Sequence, residues 1–565
     1  MQPQGEAGRL FAALSSINAR ALCNDRLLSC QVLAKGPDQG RVLERFLAKA
    51  PPLRFGAVRI LLLACRYAAA NILHFLFLLM TALFARLHGW KRPAPPAPGS
   101  PPLLLVDTFA LLPRIAAEGR WRDLYLPGLA ESAKEQGMRA LTLYRLYGSR
   151  NPLTLWRAIQ ALAASSEGML EAHLFSLSDW LRLVRHMAVY PFSLLRLIES
   201  LHSAPSDSPE RYIREALLLT AGQCALVGEA RRLAGLRLGL WLTKAPAGSR
   251  IVSWYENQCV NKAFYRGLRQ AQKQNGKRQN TDHVPTIGAQ LFLWPPVLLN
   301  NHADDAEAAL GLAPDRVVVN GPYFLPDASC QNYAIGPSLR YAHLFTGPAP
   351  GADAPQTPVA QTKNQPVQGH VLVLLSYHPD ETRKVLRLTR DMTLDAARST
   401  APDAARPQPE QAAQHESKGH PLPQTHAYTM VFRFHPATRP DDFADLLPPD
   451  ALFSTNPLPQ ALTLACAVLG AGSGSLAEAA AMGLPVLAVE DSFPESGLNY
   501  LPPYGKGFLW ESVQNGQDAQ SALCALLARL HEPGRDEAVL HFKNLLFTRP
   551  TPEAIAAMLH APAAK

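Results

Sequence analysis

The stretch Ala465 to Glu490, ACAVLGAGSGSLAEAAAMGLPVLAVE, places two short apolar segments on either side of a turn built from small residues. Ala465 to Leu469 and Pro485 to Val489 have the unbroken apolar character of strands that are buried on both faces of a parallel sheet. Between them, Gly470 to Ser475 carries little side-chain bulk, and a helix is predicted to begin near Leu476. The stretch therefore predicts strand, turn, helix and strand, the repeating unit of an α/β fold.

The small residues of this turn allow a ligand to approach the backbone closely. Ser473 and Ser475 are placed to cap the helix and to leave its first N–H groups pointing outward, which favours binding of an anion such as phosphate. The same residues also fit an ordinary turn with a serine cap and no ligand. Taken alone, the turn leaves both interpretations open.

Composition limits the classes of function. The chain has 565 residues and a net charge of +9, and this length indicates two domains with extensions. Its basic residues are dispersed and do not alternate with aromatic residues, so nucleic acid is not an expected partner. A moderate positive excess of charge suits an anionic membrane surface or a phosphorylated substrate.

The eight scattered cysteines form no CxxC pair, which favours a reducing compartment and no metal site.

Residues 1–100 are predicted to form a helical extension that ends in a Pro-rich linker. Within it, Leu61 to Leu87 is the most apolar segment of the chain and is long enough to cross a bilayer as a helix. Arg66 and Arg86 lie near its ends, where arginine side chains can reach the membrane interface. A membrane-spanning or interfacial helix and a buried helix both fit this segment.

Residues 101–346 alternate between strand-like and helical segments, which predicts βαβ units and a parallel sheet. One of the strands, Ile251 to Tyr255, is followed at its carboxyl end by Glu256, at the edge where open α/β sheets bind ligands. Partial desolvation raises the pKa of such a carboxyl group and suits a general base. Alternatively, Glu256 caps the next helix and pairs with Lys262.

A second α/β unit is predicted for residues 369–535, after a linker at 347–368, with a disordered insertion at 400–425 and a helical tail at 536–565. Its strand Tyr428 to Phe434 contains Arg433 and runs into His435 and Pro436. A guanidinium and an imidazole at the end of one strand, together with the small-residue turn after another, offer converging donors for a phosphate group.

This second unit resembles the donor half of GT-B glycosyltransferases, especially those that use cytidine nucleotides, such as sialyl-, Kdo- and glycerophospho-polymer transferases. The resemblance consists of an HP pair at a strand end, then a Ser-rich turn that leads to an EA…G.PV element. It is carried by His435, Pro436, Ser473, Gly474, Ser475, Glu478, Ala479, Gly483 and Pro485. It implies an α/β, GT-B-like fold with two Rossmann-like domains that face a cleft.

The first unit resembles bacterial surface-carbohydrate biosynthesis proteins that are interpreted as GT-B transferases. WYENQCVNKAFYRGLR, PTIGAQ and APDRVVVNG carry this resemblance, and the two together cover about residues 250–500. The sequence departs from that group at Leu291, where the group often has a histidine after the glutamine, here Gln290.

The resemblance implies a metal-independent transfer from a nucleotide-sugar, with CMP- or CDP-linked sugars as the expected donors. Glu256 and His435 are the expected catalytic residues, and the acceptor is a glycan or a lipid-linked glycan. Glu478 is expected on the ribose or base. The expected donor-binding residues are Arg433, His435, Ser473, Gly474, Ser475 and Glu478, and the expected acceptor-side residues are Asn257, Gln258, Lys262 and Gln290.

Two other functions fit the same features. One is a non-hydrolysing sugar-nucleotide epimerase, which uses a similar fold but needs no apolar segment. The other is a membrane-associated scaffold that binds a polysaccharide without chemistry. For the transferase, the expected location is the cytoplasmic face of the inner membrane, with a role in capsule or O-antigen synthesis.

Overall fold

The computed structural model describes residues 4–36, 39–53, 55–97, 99–164, 168–276, 284–295, 297–326, 332–346, 369–376, 378–399, 428–435, 438–490 and 499–560. The chain divides into two compact units, Met1–Phe345 with Leu546–Lys565, and Thr346–Leu545. The predicted linker at 347–368, the predicted insertion at 400–425 and Pro436 lie outside the described residues.

The first unit is built on a parallel sheet in which the described residues form seven strands in the order β3-β2-β1-β4-β5-β6-β7. The chain starts in the middle, adds β2 and β3 on one side, and then returns to add β4 to β7 on the other. This is the Rossmann order with one further strand, and its switch point lies between β1 and β4. The strands are β1 (Leu103–Leu111), β2 (Arg139–Tyr147), β3 (Gly168–Leu170), β4 (Arg250–Trp254), β5 (Thr286–Ala289), β6 (Arg316–Val319) and β7 (Tyr333–Ile335).

The second unit repeats the same plan. Its described strands form a parallel sheet in the order β10-β9-β8-β11-β12-β13, so that its switch point lies between β8 and β11. The strands are β8 (His370–Leu374), β9 (Thr429–Arg433), β10 (Leu452–Phe453), β11 (Ala465–Gly470), β12 (Val486–Val489) and β13 (Trp510–Val513). The opening stretch thus forms β11, a helix and β12, as its pattern predicts, and every residue of β11 is buried.

Helices connect and cover these strands. They are α1 (Gly5–Ala21), α2 (Gln39–Leu47), α3 (Ala57–Leu87), α4 (Leu112–Glu118), α5 (Leu129–Glu135), α6 (Pro152–Ala163), α7 (Leu177–Ser200), α8 (Pro209–Thr220), α9 (Leu226–Trp241), α10 (Cys259–Gly276), α11 (Asp305–Ala309), α12 (Pro379–Ser399), α13 (Leu458–Thr463), α14 (Ser475–Ala481), α15 (Gly516–Ala528), α16 (Arg535–Leu546) and α17 (Pro552–His560). The α/β class with two Rossmann-like units is therefore confirmed.

Both ends of the chain contribute to the first unit. Side chains of α1 and α2 share a buried apolar cluster with α7 and α8, so the expected extension at 1–100 is integrated into this unit by its contacts. The expected tail at 536–565 is divided, because α17 packs Ile555, Met558 and Leu559 against strands of the first sheet, whereas residues up to Leu545 belong to the second unit.

The apolar segment predicted at Leu61 to Leu87 forms most of α3, which is long and apolar enough to cross a membrane by length and composition. One side of this helix is packed against the protein. Asn71 is buried there, and its carboxamide oxygen accepts hydrogen bonds from the backbone N–H groups of Ala225, at 3.0 Å, and Leu226, at 3.3 Å. A side chain of α3 therefore caps the first turn of α9.

Replacing Asn71 by Ala is expected to lower the free energy of unfolding by about 2 kcal/mol, because buried N–H groups at the start of α9 lose their acceptor. Urea denaturation at constant m-value measures the change. Asn544, which is exposed on α16, provides the control, since Asn544→Ala removes the same groups from a solvated helix. Equal effects of the two substitutions would contradict the capping role.

Candidate functional site

Glu256 lies at the switch point of the first sheet. It follows β4, which pairs with β1 from Leu104 opposite Arg250 to Asp107 opposite Ser253. The two strands are parallel, but the chain continues from β1 to β2 on one side and from β4 to β5 on the other. A crevice therefore opens between their carboxyl ends, and ligands of doubly wound sheets bind in this crevice. The sequence-based placement of Glu256 at the carboxyl edge is thus reproduced, and the strand order adds that this edge is the switch point.

The Glu256 carboxylate is half-buried and accepts a hydrogen bond from Nε2 of Gln258 at 2.7 Å. Desolvation raises its pKa from 4.5 to about 7, although Arg340, the bond from Gln258 and Arg145 act in the opposite direction. A carboxyl group with a pKa near 7 is poised to exchange a proton at neutral pH. Gln258 holds the carboxylate in place, and its expected acceptor-side role stays a prediction.

An aromatic wall, formed by Phe109, Tyr125, Tyr147, Trp254 and Phe292, lies at the same edge. Phe109 is its centre, with ring centroids 4.4 Å from Trp254 and 5.7 Å from both tyrosines. Wide apolar surfaces beside a few polar groups are typical of small-molecule sites. Sequence patterns missed this wall, because its five members come from five separate segments of the chain.

Arg340 is the second feature that the sequence did not indicate. Its guanidinium lies 4.1 Å from the ring centre of Phe292 and 5.4 Å from that of Tyr125, and its charge counteracts the raised pKa of Glu256. It follows β7, more than eighty positions after Glu256, and no motif connects the two. A cation beside the carboxylate can hold an anionic or hydroxyl-bearing substrate next to it.

Gln290 directly follows β5, the strand next to β4. Its Oε1 accepts a hydrogen bond from the backbone N–H of Asn320 at 2.9 Å, and it is buried. The side-chain NH₂ groups of Gln290 and Asn320 have no partner among the described residues. Buried N–H groups without acceptors are costly, so these two amides are ready to donate to a bound molecule. The acceptor-side assignment of Gln290 is compatible with this geometry and stays a prediction.

Lys262 and Asn257, also expected on the acceptor side, face into the protein instead. Lys262 is 1% exposed, and its Nζ donates to Oε1 of Glu307 and to the carbonyl of Ala34, both at 2.8 Å. Asn257 is also buried and donates to the other oxygen of Glu307 at 3.1 Å. The alternative ion pair between Glu256 and Lys262 is not formed, because Lys262 pairs with Glu307. Both residues therefore organise the fold rather than the crevice.

In the second unit, the turn after β11 differs from its expected form. Gly474, rather than a serine, is the N-cap residue of the helix that follows and provides no side-chain cap, while the hydroxyl oxygen of Ser473 accepts from the N–H of Ser475 at 3.2 Å. The N–H groups of Leu476, Ala477 and Glu478 bond to the carbonyls of Ser473 or Gly474, so they do not point outward unpaired. The following helix, α14, has seven residues. An anion would therefore have to compete with bonds inside the turn.

This turn lies at the switch point of the second sheet, and the first turn of α12 faces it across that point. Gly472 has a φ of +55°, and any side chain there would collide with the carboxylate of Glu381. The Oε2 atom of Glu381 is buried without a hydrogen-bond partner among the described residues. Sequence analysis did not single out Glu381. Its carboxylate favours a hydroxyl donor, such as a ribose, over phosphate at this point.

Arg433 and His435 lie at the end of β9, and β8 separates this strand from β11. Two strand spacings put these ends about 10 Å apart. The Arg433 guanidinium donates to the carbonyl of Asn456, and partial burial lowers the pKa values of Arg433 and His435. His435 is thus a neutral donor or acceptor at pH 7 rather than a cation. Glu478 is buried within α14.

Comparisons with known proteins found similar solved structures but no similar sequence. No protein-family model and no curated protein matches the sequence. Solved structures that resemble the chain include the spinosyn rhamnosyltransferase SpnG complexed with thymidine diphosphate, at 14% identity over 81% of this chain and 99% of that chain, with a TM-score of 0.37. The glycosyltransferase SnogD from Streptomyces nogalater has 14% identity over 81% and 99%, with a TM-score of 0.36.

A UDP-N-acetylglucosamine 2-epimerase also resembles the chain, at 10% identity over 81% of this chain and 94% of that chain, with a TM-score of 0.37. Transferases and an epimerase therefore occur side by side among these structures. All three TM-scores lie below 0.5, so the fold assignment rests on the two strand orders, and the function has to be argued from the residues of this chain.

Proposed function

We propose that this protein is a glycosyltransferase that moves a sugar from a nucleotide-sugar donor to a surface polysaccharide or a lipid-linked glycan. The observation that carries the proposal is Glu256, a half-buried carboxyl group with a pKa of about 7 at the switch point of the first sheet. Transfer to a hydroxyl group requires a base that removes its proton, and a pKa near the working pH makes that base most effective.

In this proposal the acceptor binds in the crevice of the first unit. The aromatic wall packs against the apolar face of a sugar ring, while Gln290 and Asn320 donate hydrogen bonds from their otherwise unpaired amides. Glu256, held by Gln258, takes the proton of the attacking hydroxyl. Arg340 orients the acceptor beside the carboxylate.

The donor is assigned to the second unit. Arg433 and His435 would hold the phosphate groups, while Ser473, Gly474, Ser475 and Glu478 would contact the remainder of the nucleotide, with Glu381 as a further ribose contact. Fixed donors of this kind stabilise the negative charge that develops on the leaving nucleotide, a task that a divalent ion performs in other enzymes. We therefore propose a metal-independent reaction and a cytidine nucleotide donor. The proposed location is the cytoplasmic face of a bacterial inner membrane, in capsule or O-antigen synthesis.

Titration of the purified full chain with CMP-, CDP-, UDP- and GDP-sugars by calorimetry tests the proposal. We expect binding of a cytidine nucleotide-sugar.

His435→Ala is expected to abolish transfer and to weaken nucleotide binding by about tenfold, the effect of losing one hydrogen bond to a charged group. Arg439→Ala, which changes an exposed side chain four residues away, should leave the affinity unchanged.

Other outcomes would favour other functions. The absence of binding to any of the four nucleotides would favour a scaffold. Conversion of the sugar in the absence of any acceptor would favour an epimerase. Unchanged affinity in His435→Ala would remove this histidine from the donor site.

A further inference from the structure

The first unit carries an apolar surface that the proposed transfer reaction does not use. On α3, Ile72, Leu76, Leu79, Leu83 and Leu87 recur every three or four residues and are 45–62% exposed. On α7, Leu177, Leu181 and Val184, followed two turns later by Phe192 and Leu195, lie along one side of the helix and are 47–79% exposed. A contiguous group of exposed apolar side chains of this kind marks an interaction site. The two stripes together are called the α3–α7 face.

The two helices lie side by side. The hydroxyl of Tyr67 on α3 donates to the carbonyl of Met187 on α7 at 2.8 Å, and the rings of Tyr67 and Tyr190 stack with centroids 6.1 Å apart. Near the other end of the contact, Phe75 meets Trp180 edge to face at 5.6 Å. The two apolar stripes therefore belong to neighbouring elements of one surface.

The charges at this face are almost all positive. Exposed arginines of α3 and α7 accompany the stripes: Arg59, Arg66, Arg86, Arg182, Arg185 and Arg196. α3 has no acidic residue. On α7, Asp179 is buried, bonded to Arg237 at 2.7 Å and 3.8 Å from the guanidinium of Arg182, which leaves Glu199 near the end of the helix as its exposed carboxylate. An apolar stripe with flanking arginines is the composition of a helix that lies in the interface of an anionic membrane.

A second copy of the chain fits this face less well. Two-fold pairing brings the same patch of each copy together, so the arginines of one copy would meet those of the other. Anionic lipid headgroups neutralise the same charges. We propose that the α3–α7 face docks on the surface of an anionic bilayer, with α3 lying in the plane of the interface rather than spanning the membrane.

The packing of α3 supports the in-plane orientation. Its inner side buries Asn71, Leu78, Thr81 and Ala85 in the protein, and Phe84 contacts the Trp156 ring at 5.1 Å. A spanning helix would have to give up these contacts, including the cap that Asn71 provides for α9. A helix that keeps them exposes to lipid its outer stripe and its first turns, where Val58, Ile60 and Leu62 are 56–74% exposed. This mode of docking is independent of the proposed sugar transfer.

Sedimentation of the full chain with vesicles tests the partner. We expect binding to vesicles of phosphatidylcholine mixed with phosphatidylglycerol, and much weaker binding to phosphatidylcholine alone. Each arginine near an anionic surface contributes about fivefold, so Arg182→Gln with Arg185→Gln should lower partitioning by about 30-fold. The matched control, Arg139→Gln with Arg387→Gln, removes two exposed charges elsewhere. Equal losses in both variants, or no binding to either vesicle, would overturn the proposal.

Spin labels on α3 test the orientation. Cys65 is exposed on this helix and can be labelled after Cys23 and Cys330 are replaced by Ser. Leu76→Cys and Leu87→Cys, each combined with Cys65→Ser, give two further positions. On anionic vesicles, oxygen collision rates should indicate one shallow depth at all three positions. A depth that is greatest at position 76 would show a spanning helix and would overturn the in-plane arrangement.

Discussion

Glu256→Gln is expected to lower the rate of sugar transfer by about 10²–10⁴-fold, the usual contribution of a general base. The side chain keeps its size, so substrate affinity should change little. For the wild-type protein, kcat/KM should rise with pH through a limb near pH 7, because the pKa of Glu256 is raised to about 7 and only the ionised form accepts a proton. The residual activity of the variant should lack this limb.

Glu135→Gln, which changes an exposed carboxylate on α5, is the control and should leave both rate and pH profile unchanged. Full activity in Glu256→Gln, or an unchanged limb near pH 7, would exclude Glu256 as the base. If the variant loses activity but keeps the limb near pH 7, another group produces the limb, and the substitution lowers activity by disturbing the crevice.

The same substitution makes an independent prediction about stability. The pKa of Glu256 is higher in the folded protein than the ordinary value of 4.5, so its contribution to stability is fully present below pH 4.5 and is lost as the pH rises through 7. Glutamine does not ionise. At pH 8, the free energy of unfolding of Glu256→Gln should therefore be about 1–3 kcal/mol higher than that of the wild type. The difference should vanish near pH 4.

The second large effect is expected at Glu307, whose carboxylate lies between two buried lysines. Oε1 of Glu307 is 2.8 Å from Nζ of Lys262 and 3.0 Å from Nζ of Lys35. Burial by itself would raise the pKa of Glu307, but the two lysines outweigh it and lower the pKa. Glu307→Ala should cost about 3–5 kcal/mol of unfolding free energy, because charged groups remain buried without their partner.

Thermal and urea unfolding measure this loss, and Asp305→Ala, an exposed change on the same short helix, is its control. A combined Glu307→Met and Lys262→Met variant should recover part of the stability, since removing both charges leaves less uncompensated burial. If Glu307→Ala were as stable as Asp305→Ala, the network would not hold α10, α11 and the segment around Lys35 together.

Local patterns predicted the individual elements well. Apolar runs gave β4, β11 and β12 close to their observed bounds, because a strand buried on both faces needs apolar residues at successive positions. They failed where the chain forms short or interrupted pieces. The pattern of Glu171 to Ser176 predicts a strand, but the strand is Gly168–Leu170. The pattern of Pro209 to Leu242 predicts a long helical stretch, which is divided into α8 and α9. Pro191 predicts a kink or break, but α7 continues through it.

The apolar segment Leu61 to Leu87 likewise has one property that the sequence predicts and another that only the structure shows. Hydropathy identifies Leu61 to Leu87 as apolar, and this property is the same for a helix in lipid, at an interface or in a protein core. The structure separates these cases by showing which side chains are covered. Asn71 and Thr81 are buried against protein, whereas Leu76 and Leu83 are exposed.

The sequence by itself determined that this protein has two α/β units, and it placed Glu256 at the carboxyl end of a strand. Both properties depend on neighbours along the chain. The tertiary structure alone decided that this strand end is a switch point, that Lys262 pairs with Glu307, and that the N–H groups after Ser473 are bonded within their own turn. Arg340 and the aromatic wall also come together only through folding, since strand order and burial depend on contacts between segments that are distant in sequence.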